Sequence, residues 1–118
     1  MKTEKELWEI IEQANWKSDH SYRRIIGEWS KLDEDTFKQL EKFVDRKVSI
    51  LSNDYENAWL NRDENGGINV SDDGWMDLTA DVVGRGEQFY NDITADKLRK
   101  MADEDDYEEC FLYCLHKN

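Results

Sequence analysis

Apolar residues recur along this chain at intervals of three and four, and no stretch alternates apolar with polar over the length of a strand. Near the N-terminus, Leu7, Trp8, Ile10, Ile11 and Ala14 form one helical stripe. Thr3 followed by Glu6 predicts a capping box in front of it. Tyr22, Ile25, Ile26 and Trp29 repeat the spacing, with Ser18 or Ser21 placed to cap and Gly27 weakening the segment by about 1 kcal/mol. The clearest helix is "LDEDTFKQLEKFVDRKVSIL". Asp33 should cap it, Glu34 and Asp35 complement the positive end of its dipole, and Phe37, Leu40, Phe43, Val44, Val48 and Leu51 supply its buried face.

Beyond it, Asn53 or Asp54 is placed to cap a shorter segment carrying Tyr55, Ala58 and Trp59, and residues 61–70 read as loop. Trp75, Leu78, Val82, Gly86, Phe89 and Ile93 then keep helical spacing, which predicts one continuous helix. Gly86 falls on its apolar face, where it is expected to admit a neighbouring helix rather than to end this one. Thr94 caps "ADKLRKMA", and "YEECFLYCLH" offers a last helix through Phe111, Leu112 and Leu115. The expected fold is all-α, a single compact domain over residues 1–118 with about five to seven helices.

Composition narrows the function classes. There is no proline and no run of eighteen apolar residues, so neither a linker nor a membrane span is expected. "MKTEKELWEI" lacks a secretory apolar stretch, which points to the cytoplasm. Five tryptophans and 38% hydrophobic residues favour a folded chain despite 37% charged residues. The net charge of −12 is uneven. Residues 1–59 carry 10 Lys/Arg against 13 Asp/Glu, and residues 60–118 carry 6 against 15. Such a field repels nucleic acid and anionic lipid, and favours a basic protein or divalent cations. Solubility alone would also explain it. Cys110 and Cys114 lie four apart, which on a helix separates their Cβ atoms by about 6 Å, beyond disulfide reach. A zinc site would need His20 and His116 as well, so no metal and no cofactor is expected.

The densest run of special residues is "NGGINVSDDGW", residues 65–75. As a helix start, Ser71 caps, Asp72 and Asp73 occupy the first turn ahead of Gly74 and Trp75, and Gly66 and Gly67 supply positive φ for the reversal before it. As a calcium loop, Asn61, Asp63, Asn65, Gly66, Ile68, Asn69 and Asp72 fall at positions 1, 3, 5, 6, 8, 9 and 12 of a twelve-residue register. Asn in first place and Asp in last both depart from that pattern. A phosphate cradle would need a Lys followed by Ser/Thr after the glycines, and "GRG" at 84–86 lacks a dinucleotide fingerprint.

"VSDDGWMDLTADVVGRGEQFY" resembles the helical bacterial family called domain of unknown function 4240. That family's pattern is Gly-Gly, a short gap, Ser-Asp-Asp-Gly-aromatic, then a helix with a glycine before an aromatic pair. Gly66 and Gly67 match its first element; Ser71, Asp72, Asp73, Gly74 and Trp75 its second; Gly86, Phe89 and Tyr90 its third. "LWEIIEQA" is similar to the family's opening helix and "ITADKLRKMA" to its closing segment, so the resemblance covers about residues 6–102. The gap before Ser71 is longer here, and Thr79, Asp81 and Glu87 replace the Arg, Trp and Arg frequent in the family. The resemblance implies a divergent branch, a compact helical fold and helix initiation at Ser71. It implies no activity.

Catalytic chemistry finds no named residues: neither histidine lies in a Ser or Cys motif, and with 28 acids close carboxylate pairs carry no information. The leading expectation is a protein–protein interaction module, in the manner of an immunity or antitoxin-like inhibitor of a basic partner. Its contact face would use Asp103, Glu104, Asp105 and Asp106, with tryptophans as aromatic anchors. A calcium-binding module built on residues 61–72 is the alternative, and a hydrolase with carboxylate chemistry a weaker one.

Overall fold

A computed structural model of the chain describes residues 1–115 and is built from α-helices. In chain order these are α1 (Glu4–Gln13), α2 (Tyr22–Trp29), α3 (Glu34–Asp54), α4 (Glu56–Leu60), α5 (Asp72–Gly84), α6 (Glu87–Asp92) and α7 (Ala95–Asp103). A 3-10 turn, Phe111–Leu115, closes the described chain, and no strand occurs among the described residues. The local signals explain most of the starts. The Thr3–Glu6 capping box forms, and Asp33 and Thr94 accept from the backbone N–H groups of Thr36 and Lys97.

The expected continuous helix from Trp75 to Ile93 is broken. Gly86 takes φ 108° and ψ 173°, a conformation essentially restricted to glycine, so α5 ends there and α6 begins at a new angle. The Glu12 side chain, reaching over from the end of α1, accepts from the Glu87 N–H at 3.0 Å and caps α6. Gly86 thus ends the helix, and what comes close to it is the Glu12 side chain, 3.0 Å from where a Cβ would sit. The tighter approach is at Gly84, where a Cβ would lie 2.8 Å from both Phe111 and Trp16.

Two smaller expectations are also corrected. Neither Asn53 nor Asp54 caps α4, because α3 runs through both and Tyr55 forms the junction, its hydroxyl donating to the Ile93 carbonyl at 3.0 Å. The last helix shrinks to the 3-10 turn, because Cys110 adopts φ 78° and interrupts the helical path. His116, the end of that expected helix, lies outside the described residues.

Helix α5 is the axis of the molecule. Its residues Leu78 to Gly84 are buried without interruption, which is how a helix surrounded by others presents itself. Ala80 and Val83 face an apolar cluster with α1, α2, the first half of α3 and Phe111. Trp75, Leu78 and Val82 face a second cluster with Leu51, Ile68, Leu98 and Met101. Helix α3 packs most extensively against α5, and the closing turn against α2.

Candidate functional site

The Ser71–Trp75 motif is a helix start. Ser71 Oγ accepts from the Gly74 N–H at 3.1 Å, and Asp72 and Asp73 lie in the first turn. Of the two glycines before it, only Gly66 has a positive φ, 87°. Gly67 is required for a different reason: a Cβ there would collide with the Asn61 carbonyl oxygen and come within 2.7 Å of Arg62 Cα. Trp75 points inward, stacks on Trp59 with ring centroids 5.8 Å apart, and donates its indole N–H to Ser52 Oγ. The tryptophans are therefore not surface anchors: Trp8, Trp16, Trp29 and Trp75 are buried and Trp59 is half-buried.

What the motif helps to build is an acidic cleft. Ser71, Asp73 and Gly74 form one wall with Met76 and Asp77 from the next turn of α5. Tyr107, Glu109, Cys110, Leu112 and Tyr113 form the other. The cavity measures about 540 Å³, and no Lys, Arg or His among the described residues lines it. Met76 and Tyr113 are 55% and 51% exposed, so its rim carries large apolar surface. Partial burial, then Glu109 and Asp73, push the Asp77 carboxyl above its ordinary range. Burial, then Asp105, Asp77 and Glu109, push the Tyr107 hydroxyl up, and burial, Glu109 and Asp77 do the same to the Cys110 thiol. Each of these groups is biased toward its more protonated form, by burial first and by the neighbouring carboxylates after it.

On the other side of Tyr107 lies a polar knot. Asp81, 1% exposed, accepts from the Trp16 indole N–H at 2.8 Å, the Glu108 backbone N–H at 3.2 Å and Arg85 Nε at 2.7 Å. Burial raises its carboxyl, and Arg85, Trp16 and Glu108 pull it back only in part. This carboxylate fastens the α1–α2 connection, α5 and the C-terminal segment to one point. An acid inside the apolar run from Leu78 to Gly84, with an arginine four residues on at the helix end, was the signal that could have revealed it.

The four acids of the expected contact face are all exposed, and none of them lines the acidic cleft: Asp105 and Asp106 border the knot, while Asp103 and Glu104 border neither cavity. Asp103 pairs with Arg99 at 3.5 Å, and Asp106 receives Arg85 through its carbonyl at 3.1 Å and its carboxylate at 3.6 Å. Asp105 lines the knot's cavity. His20, half-exposed, sits 3.4 Å from Glu108 with Trp16 at its ring edge. Both cysteines are free thiols, and burial pushes Cys114 up to about 12. In the 61–72 loop, Ile68 is buried with its N–H bound to the Ala58 carbonyl, and the Asn61 carbonyl accepts from Glu64. Among the described residues no three His, Cys, Asp or Glu side chains converge as metal ligands would, and no helix there is long and apolar enough to cross a membrane.

Fold and cleft together define a small all-helical domain with a carboxylate-lined cavity opened at the start of its central helix. The chain belongs to the family described as "Protein of unknown function (DUF4240)", which it matches over residues 1–116. No curated protein and no solved structure matches it significantly.

Proposed function

We propose that this protein works by contact with another protein, holding a basic segment of its partner in the acidic cleft, in the manner of an immunity or antitoxin-like inhibitor that masks a basic toxin. The observation that carries this is the cleft's composition: Asp73, Asp77 and Glu109 with no cation among the described residues that line it, flanked by exposed Met76 and Tyr113. An interface needs apolar area for affinity and complementary charge for steering and register, and both are present on one concave surface. Carboxylates spread along a cleft suit guanidinium and ammonium groups carried on a chain.

The test is recovery of partners from the source cells by tagged protein, followed by association kinetics at two ionic strengths. Wild type should recover a basic protein whose on-rate falls steeply between 0.01 and 0.15 M salt, as the Debye length shrinks from about 30 to about 8 Å. The variant Asp73→Asn/Asp77→Asn/Glu109→Gln should lose it. A second variant, with Asp103, Glu104, Asp105 and Asp106 made Asn or Gln, reports on the acidic run and should reduce the on-rate while leaving the Tm nearly unchanged. If both variants recover the same partners with unchanged salt sensitivity, the charge serves solubility only and the proposal fails.

A further inference from the structure

The cavity beside the polar knot has a chemistry of its own, independent of the acidic cleft. It measures about 260 Å³, just below the usual range for small-molecule sites, so it suits a small ligand. Its floor is the Asp81–Arg85 pair, with side chains 1% and 8% exposed. The Arg85 guanidinium is fixed on three sides: Nε donates to Asp81, Nη2 donates to the Asp106 carbonyl, and the group lies 4.9 Å over the Phe89 ring. Nη1 makes no hydrogen bond to any described residue. A guanidinium held this rigidly, with Nη1 left without a described partner, is preorganised to receive a carboxylate.

The walls carry both signs. Lys17 and Lys97 line the same cavity, and their ammonium groups form no ion pair with a described residue. Opposite charge comes from Asp105, Asp106 and Glu108. A dianion such as phosphate would gain from the lysines and lose against three carboxylates. A simple cation would meet Arg85. A ligand bearing one carboxylate and one ammonium a few bonds apart satisfies both walls at once.

We infer that this cavity binds a small zwitterion of the α-amino-acid class, its carboxylate on Arg85 Nη1 between Lys17 and Lys97 and its ammonium toward Asp105 and Glu108. The indole N–H of Trp16 provides the reporter, because it lines the cavity and donates to Asp81. In ¹H–¹⁵N spectra, titration with each of the twenty amino acids should shift that resonance saturably for at least one of them, with a Kd between about 1 μM and about 1 mM. Acetate, methylamine and inorganic phosphate should each bind at least about tenfold more weakly, since each meets only half of the site or is repelled by the rest. The double variant Lys17→Ala/Lys97→Ala, at two exposed positions, should weaken binding about tenfold or more with the Tm unchanged. Three results would each overturn the inference: no amino acid shifting the Trp16 resonance at up to about 50 mM (far above any Kd of that range), acetate or phosphate binding as tightly as the best amino acid, or the double variant binding like wild type.

Discussion

Asp81 is a carboxylate within the buried run from Leu78 to Gly84, whose other residues are all apolar or small, and it persists because three donors meet it. Removing one partner of a buried pair leaves the other charge uncompensated. Asp81→Asn, which takes the buried counter-charge from Arg85 and leaves it only the exposed Asp106, should therefore cost about 3–5 kcal/mol in urea melts. The pH dependence has a definite sign. A carboxyl whose folded pKa is raised costs stability above that pKa, and the cost is relieved as pH falls through it. The stability gap between wild type and Asp81→Asn should hence widen on acidification from pH 7; a gap that narrows would mean that the donors outweigh burial. Glycines give a second residue-scale test. Gly84→Ala drives a Cβ to 2.8 Å from Phe111 and Trp16 and should cost about 1–3 kcal/mol. Gly86→Ala should cost about 1–3 kcal/mol through its backbone conformation. Gly27, with nothing within 4 Å of its Cβ position, should gain about 0.5–1 kcal/mol as Ala. A melt series of the three ranks them, and similar losses in all three would contradict the packing described.

At the scale of elements, the starts were legible because caps are local. Thr3, Asp33, Ser71 and Thr94 each sit within three residues of the N–H they satisfy, so sequence spacing suffices to find them. Ends and breaks were less legible. Gly86 falls on a helical stripe whether the helix continues or not, and only Glu12, 75 residues away from Glu87, shows which path was taken. Ser71→Ala should cost about 0.5–2 kcal/mol through loss of the cap to Gly74. The same loss should appear with and without millimolar calcium, read as Tm. A calcium-dependent rise in the wild-type Tm that disappears in Asp63→Ala would instead make residues 61–72 a metal loop, since a ligand stabilises only by binding the folded state.

At the scale of the molecule, the outline of 46 × 25 × 21 Å accommodates two apolar clusters joined through α5. A net charge of −12 on this body is a self-repulsion that salt relieves. The Tm should rise as NaCl is increased from about 10 to about 150 mM, over which screening shortens to about 8 Å. A Tm that falls over this range would mean that surface ion pairs such as Arg46–Glu4 and Arg24–Glu28 outweigh the excess of carboxylates.

By itself the sequence determined what depends on near neighbours: an all-helical chain, most of its helix starts, the buried stripes of α1 to α3, and family membership through the Ser71–Trp75 motif. Periodicity and caps act over three or four residues, so they are written in order along the chain. Tertiary structure decided what depends on residues far apart. Asp77 meets Glu109 across the cleft, Asp81 gathers Trp16 and Glu108, and Gly84 admits Phe111. It also turned the tryptophans from expected surface anchors into core, because an indole buries more apolar area than most side chains and its N–H can be satisfied inside by Asp81, Val70 or Ser52. Acidic residues spaced along a chain record only net charge. Which of them crowd into one concave field is set by the path of the backbone, and that path closes only when α5 is surrounded.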